Sequence, residues 1–161
     1  MLQLDQLLPA PLHRLGLPLA HAIRICWWRL RRPLIVGCRV LAVNAAGEVL
    51  LVRHSYGARH WMLPGGGMAR GETPIAAATR ELTEETACAL TDAIEVAITR
   101  KVSHGAKNVV HVIAGRANGI PRPDGREIVA AGYFAPGALP QDIASSLANN
   151  LPGWLDQMPM A

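Results

Sequence analysis

The stretch Gly66–Cys88 reads GGMARGETPIAAATRELTEETAC and carries four of the twelve acidic residues of this 161-residue chain. They are Glu72, Glu81, Glu84 and Glu85. Glu81 and Glu85 stand four residues apart, a spacing at which like charges repel on a helix. Between Glu72 and Glu85, Arg80 supplies the one positive charge. So dense an acidic surface is either a solvated helix face or a place where something positive binds.

The stretch also contains the signals of a helix. Thr73 is suited to cap a helix N-terminus, and Pro74 suits the first helical position because its missing N–H costs nothing there. Apolar residues follow at spacings of three and four, which predicts one buried helix face: Ile75, Ala78 and Leu82. The acidic residues then lie beside that face.

Carboxylate oxygens in a group of two or three are the ligands preferred by Mg²⁺ or Mn²⁺. The sequence has neither an HExxH motif nor a Cys/His cluster, which disfavours zinc. Three consecutive glycines, Gly65–Gly67, precede the helix and suit a place where the backbone approaches a ligand or another backbone closely. A divalent metal that carries a pyrophosphate would explain both features.

These residues resemble the Nudix box, GX5EX7REUXEEXGU, in which U is a bulky aliphatic residue. Gly66, Glu72 and the run from Arg80 to Glu85 match it at every charged position. Segments on either side are also similar to Nudix proteins, namely Trp61–Gly67 before the box and, after it, Glu127, Tyr133-Phe134 and Leu139-Pro140. The resemblance extends from about Pro33 to Leu147.

The resemblance implies an α/β fold, an α/β/α sandwich around a mixed β-sheet. It implies a metal-dependent pyrophosphohydrolase that cleaves a nucleoside diphosphate linked to another group, with nucleoside triphosphates among the candidates and Mg²⁺ or Mn²⁺ as the metal. The metal ligands implied are Glu81, Glu84, Glu85 and Glu127; the catalytic residues are Arg80, Glu81, Glu84 and Glu127. The alternative is a non-catalytic nucleotide-sensing module that retains the fold.

Other roles depend on position along the chain. Backbone N–H groups of Gly65, Gly66 and Gly67 are expected either to approach the substrate phosphates or to shape the loop, and Arg53, His54 and His104 are candidate substrate-binding residues. Glu127 is either a fourth metal ligand or general base, or an exposed charge after the turn Asp124–Arg126. Glu72 is expected to support the loop and helix rather than to bind metal.

Ala87 departs from the pattern, which has glycine at this position. Glycine suits a left-handed residue at a helix C-terminus, where alanine costs roughly 1 kcal/mol more. We therefore expect either a helix that continues through Ala89 or a loop that bends differently.

The remaining segments predict the rest of the domain. Strands are expected at 34–44, 49–54, 93–102, 109–116 and 127–134, and a short helix at 141–149. We divide the chain into an N-terminal helical extension (1–32), a Nudix-like catalytic domain (33–150) and a loose C-terminal tail (151–161).

The amino-acid composition limits the classes of binding partner and the location that we expect for this protein. The net charge of +4 comes from five arginines and one aspartate in residues 1–32, so the main body is neutral and specific nucleic-acid binding is not expected. For residues 1–32 we predict an extra helix that packs on the main domain or on a second subunit. The alternative is that these residues dock to a membrane surface or to a partner. No apolar run reaches 18 residues, the N-terminus lacks the order of a secretory signal, and three unpaired cysteines suit a reducing compartment. We predict a cytoplasmic protein with a small nucleotide substrate, and a homodimer as a candidate assembly.

Overall fold

A computed structural model describes Ile23 and residues 34–56, 60–103 and 106–158; of Ser103 it describes the backbone. Within these ranges the chain forms five strands and two helices: β1 (Leu34–Val43), β2 (Val49–His54), α1 (Pro74–Thr86), β3 (Ala89–Ser103), β4 (Ala106–Asn118), β5 (Ile128–Phe134) and α2 (Ser145–Leu155). The predicted extension at 1–32 lies outside the described residues apart from Ile23, and so does the candidate residue His104.

The strands form one mixed sheet in the order β3-β4-β1-β2-β5. The central strands β1 and β4 run parallel, and β3, β2 and β5 pair antiparallel with their neighbours. Because a parallel pair needs a long crossover connection, the chain between β1 and β4 has room for α1. The predicted mixed sheet is confirmed.

Each face of the sheet is covered by one helix, and alternate residues of a strand serve opposite faces. In β1, Cys38, Val40 and Ala42 belong to a core that includes Leu82 of α1. Leu41 and Val43 belong to a second core that includes residues of α2 (Leu147 and Leu151). The architecture is therefore the α/β/α sandwich expected from the sequence.

The segment 61–67 is inserted between β1 and β2. These two strands pair directly where the turn joins them, at Val43 and Val49. Farther along, β1 instead bonds to the inserted segment, since the N–H groups of Cys38 and Val40 donate to the carbonyls of Gly66 and Pro64, each over 2.9 Å. On the other side, backbone bonds of 2.9 and 3.0 Å join Val52 of β2 to Met62. The glycine run thus becomes part of the sheet.

Two elements differ from the prediction. Strand β3 begins at Ala89 rather than residue 93, and register shifts between Thr91 and Ile94 and between Glu95 and Ala97 interrupt its alternation. Ile98 of this strand is 41% exposed. Helix α2 covers 145–155 instead of 141–149, so the predicted loose tail from residue 151 begins as helix, with Pro152 inside it.

Candidate active site

Helix α1 has the N-terminus that its sequence predicts. The Oγ1 atom of Thr73 accepts a hydrogen bond from the Ala76 N–H over 3.2 Å, and Pro74 begins the helix. The residues packed into the core are Ala77, Ala78 and Leu82, whereas Ile75 is 43% exposed. This packing fixes the rotation of the helix, so that Glu81 and Glu85 face the glycine segment.

The helix ends at Thr86, and Ala87 adopts the left-handed conformation at φ 58°. Its N–H donates to the carbonyl of Thr83 over 2.9 Å, as in the glycine-terminated ends of helices. Both alternatives expected for this position, a longer helix or a different bend, are wrong. The next element begins at Ala89, and this leaves the chain no space for another helical turn.

Glu85 is the most enclosed carboxylate of the site, with 7% of the residue exposed. Its Oε2 atom accepts a hydrogen bond from the Gly65 N–H over 2.9 Å. Burial first, and then the negative charges of Glu81 and Glu127, raise the pKa of Glu85 to about 8, although the Gly65 amide and the charge of Arg39 act in the opposite direction. The excess of negative over positive charge makes this a favourable place for a cation.

The carboxylate of Glu81 lies against the backbone of Gly66. A Cβ atom built on Gly66 would stand 2.7 Å from the carboxylate of Glu81, so this position has room for glycine alone unless the carboxylate moves. Burial raises the pKa of Glu81, with smaller contributions in the same direction from Glu84 and Glu127. Gly66 and Gly65 thus differ in function: one makes room for a carboxylate and the other donates a hydrogen bond to one.

Arg80 connects the remaining acidic residues. Its Nε and Nη2 atoms donate to the two carboxylate oxygens of Glu72 over 2.9 and 3.0 Å, and Nη1 donates to Glu81 over 2.8 Å and to Glu84 over 3.4 Å. Nη2 also donates to the carbonyl of Gly67 over 3.0 Å. One guanidinium group therefore ties the helix to the glycine segment.

Glu72 supports the loop, as its position in the box led us to expect. Besides the two bonds from Arg80, its Oε2 atom accepts one from the Ala69 N–H over 2.8 Å. The hydrogen bonds from Arg80, followed by that from Ala69, lower the pKa of Glu72 to about 2. Glu72 is therefore a charged anchor for the turn before α1.

Glu127 lies on the same side of the molecule as the helix carboxylates, since its charge raises the pKa of both Glu81 and Glu85. The Tyr56 hydroxyl donates to its Oε2 atom over 3.2 Å, and its backbone N–H donates to Asp124 over 3.3 Å. The turn that precedes β5 and the Tyr56 hydroxyl therefore hold this residue in place.

The predicted substrate-binding residues of β2 occupy opposite faces. Arg53 forms an ion pair with Asp142, and its guanidinium carbon lies 4.9 Å from the centre of the Trp61 ring, on the side of α2. His54 packs edge-on against Tyr56, with ring centres 5.8 Å apart. Burial, and then the charge of Arg39, lower the pKa of His54 to about 4. His54 is thus neutral near pH 7 and adjoins the tyrosine that holds Glu127.

Sequence reasoning missed Arg39. Its Nη1 atom donates to the carbonyls of Gly65 over 2.8 Å and Leu63 over 3.3 Å. Arg39 thereby braces the glycine segment from the side opposite Glu85. A lone arginine within the otherwise apolar strand LIVGCRVLAV was the signal that could have identified it.

Arg39 also lines a cleft of about 320 Å³ on the α2 side of the sheet, here called the α2 cleft. Strands β1, β3 and β4, the inserted segment and helix α2 form its walls. Its lining residues are Arg39, Met62, Leu63, Thr99, Lys101, Val110, Val112, Ala144, Ser146, Leu147, Asn150 and Trp154. The volume is at the lower end of the range of small-molecule sites, which begins at roughly 300 Å³.

The four candidate metal ligands suit a hard divalent cation in their chemistry. They are carboxylates, and two of them, Glu81 and Glu85, are largely buried. Burial first, and then neighbouring negative charges, raise the pKa of these two. As the side chains stand, no group of three or more His, Cys, Asp or Glu in the described ranges is arranged to hold a metal ion.

Comparison with known proteins agrees with this geometry. The model of the NUDIX domain matches residues 33–153, about three quarters of the chain. The chain belongs to the Nudix family. Membership makes this Nudix domain a hydrolase of phosphoric anhydride bonds and indicates pyrophosphohydrolase activity on nucleoside diphosphate derivatives. The family and fold class predicted from Gly66–Cys88 are confirmed.

Solved structures show the same fold. A MutT NUDIX hydrolase from Burkholderia pseudomallei is 28% identical, with a TM-score of 0.66 over 78% of this chain and 98% of that one. A MutT protein from Methanosarcina mazei Go1 is 21% identical, with a TM-score of 0.63 over 76% and 94% of the two chains. The E. coli ORF135 protein is 20% identical, with a TM-score of 0.63 over 78% and 91%. No protein of curated function matches the chain.

Within the described ranges, no helix has both the length and the apolar character needed to cross a membrane.

Proposed function

We propose that this Nudix domain hydrolyses a small nucleoside diphosphate derivative at the surface formed by α1, the glycine segment and Glu127, with Mg²⁺ or Mn²⁺ as its metal. The observation that carries the proposal is the pair of largely buried carboxylates, Glu81 and Glu85, packed against Gly66 and Gly65. Such a pair is costly to bury unless a cation compensates its charge.

Glu81, Glu84 and Glu85 are the residues that would hold the metal, with Glu127 as a further carboxylate. When bound, such an ion neutralises phosphate oxygens and lowers the pKa of water. Arg80 keeps two of these carboxylates in place and fixes the helix to the Gly67 carbonyl. This is the support that metal-binding carboxylates commonly require, and loss of it typically costs 10–100-fold in affinity or activity.

Glu127 is the favoured general base. It comes from a different element than the helix carboxylates, and the Tyr56 hydroxyl fixes its orientation through a 3.2 Å hydrogen bond. A base must be able to accept a proton from water, and Glu127 has both a carboxylate and a position beside the helix site. A role as a fourth metal ligand is the alternative, and the variants below separate the two.

Substrate phosphates would lie against the glycine segment on the face of the sheet that carries α1. Arg39 supports this arrangement from the opposite face, because it bonds to the Gly65 carbonyl and so holds the glycine segment in place. Arg53 lies on the α2 side, where it is paired with Asp142, while His54 would act through Tyr56.

The test is a panel of nucleoside triphosphates and diphosphate-linked nucleotides with Mg²⁺, read by release of phosphate or pyrophosphate. Glu85→Gln and Glu84→Gln should reduce turnover by about 100-fold or more, as loss of electrostatic stabilisation does elsewhere. Glu48→Gln is the matched control, because Glu48 bonds to Asn44 in the turn between β1 and β2. A wild-type protein that turns over no member of the panel would refute the catalytic role.

Metal binding has its own measurement. Titration with Mn²⁺ followed by electron paramagnetic resonance should show binding to wild type and to Glu48→Gln and weaker binding to Glu85→Gln. Glu127→Gln with normal Mn²⁺ affinity but low turnover would identify Glu127 as the base, and weakened affinity would identify it as a ligand. Equal Mn²⁺ affinity in wild type and Glu85→Gln would contradict the proposed metal site.

A cytoplasmic location, assembly as a homodimer, docking through residues 1–32 and the absence of specific nucleic-acid binding stay predictions.

A further inference from the structure

A β-bulge interrupts the pairing of β2 with β5 next to Glu127. His54 pairs with Ile128, although the register of the preceding residues would pair it with Val129. Val129 is therefore an extra residue in β5, and it is 41% exposed. Bulges are frequent next to active sites, where they change the direction of neighbouring side chains. The bulge thus marks the point at which the regular strand pair gives way to the turn that carries Glu127.

The backbone of Glu127 is held from two sides. On one side, the carboxylate of Asp124 accepts three hydrogen bonds, from the N–H groups of Arg126 over 2.9 Å, Glu127 over 3.3 Å and Ile128 over 2.8 Å. Aspartate side chains commonly stabilise turns in this way. On the other side, the Ser55 N–H at the end of β2 donates to the Glu127 carbonyl over 2.8 Å. Both backbone polar groups of Glu127 therefore have partners, and these fix the point from which its side chain starts.

Tyr56 follows Ser55 and holds the other end of that side chain. Its hydroxyl donates to the Oε2 atom of Glu127 over 3.2 Å. The ring itself is supported, since it packs edge-on against His54 at an interplanar angle of 61°. A hydrogen bond to a charged acceptor is among the stronger ones, so it favours one orientation of a glutamate side chain that otherwise has several.

Tyr56 is a neutral donor, unlike Arg80, which holds Glu72. The hydrogen bonds from the Arg80 guanidinium group lower the pKa of Glu72 to about 2. A hydroxyl group orients a carboxylate without placing a positive charge beside it. This suits Glu127 as the favoured base, because a base must accept a proton during the reaction.

We propose that Tyr56 is a positioning residue of the reaction, which acts through its hydrogen bond to Glu127 and not through contact with the substrate. This inference rests on the proposed function for the participation of Glu127. Asp124 and Ser55 fix the backbone of Glu127, and Tyr56 then selects the orientation of its carboxylate. Tyr56 therefore affects the rate of the chemical step and leaves substrate affinity unchanged.

The chain has two tyrosines, which provide a matched pair of variants. Tyr56→Phe keeps the ring and removes the hydroxyl. Its kcat should fall about tenfold, as expected for the loss of one hydrogen bond to a charged group, and its KM should stay within about twofold of wild type. Tyr133→Phe is the control, because the Tyr133 hydroxyl donates to the Gly119 carbonyl over 3.4 Å rather than to a carboxylate. It should keep both kcat and KM within about twofold.

The same assay tests whether Tyr56 acts through Glu127. The substrate is the nucleotide of the panel that wild type hydrolyses fastest with Mg²⁺, and weak variants are measured at higher enzyme concentration. In a Glu127→Gln background, Tyr56→Phe should change kcat by less than about twofold, because the residue through which it acts has already been altered. In a Glu48→Gln background, Tyr56→Phe should keep its full tenfold effect, since Glu48 lies in the turn between β1 and β2.

Four results would overturn the inference. They are a wild-type kcat in Tyr56→Phe, an equal loss of kcat in both tyrosine variants, a rise in KM without a fall in kcat, and a tenfold effect that persists in the Glu127→Gln background. Failure of the proposed function has a different signature. If wild type hydrolyses no member of the panel, the proposed function fails and this inference fails with it. If wild type hydrolyses a nucleotide and Tyr56→Phe does so equally well, this inference alone fails.

Discussion

The glycine run Gly65–Gly67 provides a test because its three residues differ in what an added side chain would meet. At Gly66, an added Cβ atom would lie 2.7 Å from the Glu81 carboxylate, which is the far end of a flexible side chain. At Gly65, it would lie 2.3 Å from the backbone oxygen of Cys38, and φ is +135°. At Gly67, it would meet nothing within 4 Å.

Gly66→Ala should therefore damage activity far more than stability. Normal contact between such atoms begins near 3.4 Å, so the carboxylate must retreat by 0.7 Å or more from its present place. A misplacement of about 1 Å in an active site can cost about 100-fold in rate. Since a side chain can rotate away while the backbone stays, we expect the free energy of unfolding to fall by about 1 kcal/mol.

The other two substitutions are the controls. Gly67→Ala should keep both activity and stability, within about 0.5 kcal/mol, because its site is open and its φ is not positive. Gly65→Ala should destabilise by about 3 kcal/mol or more, because backbone atoms must move and the conformation is strained. Urea denaturation gives the stabilities, and initial rates of hydrolysis with Mg²⁺ give the activities.

The result that would refute this reasoning is a Gly66→Ala variant with wild-type turnover. It would mean that the position of the Glu81 carboxylate does not affect the reaction. A Gly66→Ala variant as unstable as Gly65→Ala would also contradict it, because the steric conflict would then involve the backbone rather than one side chain.

Further predictions concern the supports of the site. Arg80→Lys, which keeps the charge but loses the guanidinium geometry, should lower turnover by roughly 10–100-fold in the same assay, and unchanged turnover would argue against its bridging role. Ala87→Gly should raise the free energy of unfolding, measured by urea denaturation, by up to about 1 kcal/mol, because glycine adopts φ 58° without the cost that alanine has. Turnover should stay unchanged. A lower free energy of unfolding would show that Ala87 is unstrained. The pKa of His54, lowered from 6.5 to about 4, means that its contribution to stability is full above pH 6.5 and is lost as the pH falls toward 4. Urea denaturation should therefore show that the free energy of unfolding of wild type falls by about 1–2 kcal/mol relative to that of His54→Gln between pH 7 and pH 5. The opposite contribution of Glu85 is present in both proteins and cancels in this comparison. If the free energy of unfolding depends on pH in the same way in both proteins, His54 is already solvated.

Local signals in the sequence predicted much of this structure. Thr73 and Pro74 determine the start of α1 by chemistry that involves only adjacent residues, so the prediction was accurate to the residue. The box pattern likewise indicated that Glu72 would support the loop, and the hydrogen bonds from Arg80 agree with this. Such features depend on a few neighbouring side chains and survive without knowledge of the tertiary structure.

Features that depend on distant contacts were missed or misjudged. Strand β3 shows regular alternation in sequence, but two register shifts against β4 interrupt that alternation in the structure. Arg39 is 26 residues from the Gly65 carbonyl that it contacts, and no local pattern links the two. The positive charge of the α2 cleft arises because the sheet brings Arg39 and Lys101 to one face, a result of topology rather than of either strand alone.

Ala87 shows why a deviation from a pattern need not change the structure. Alanine tolerates the left-handed conformation at a modest energetic cost. The hydrogen bond from the Ala87 N–H to the Thr83 carbonyl and the strand that begins at Ala89 favour the same backbone conformation that glycine would adopt here. The surrounding chain therefore determines the backbone at this point, and the residue type affects only its energy.

The insertion of 61–67 into the sheet also has a consequence for motion during turnover. Each backbone bond to β1 and β2 contributes about 1 kcal/mol, so to swing this segment open as a lid would require several of them to break together. The segment should then stay rigid during turnover. Side chains and the surfaces around the segment must move to let nucleotides enter and leave. Variation in the surfaces around the segment would change which nucleotide is accepted without disturbing this rigid part.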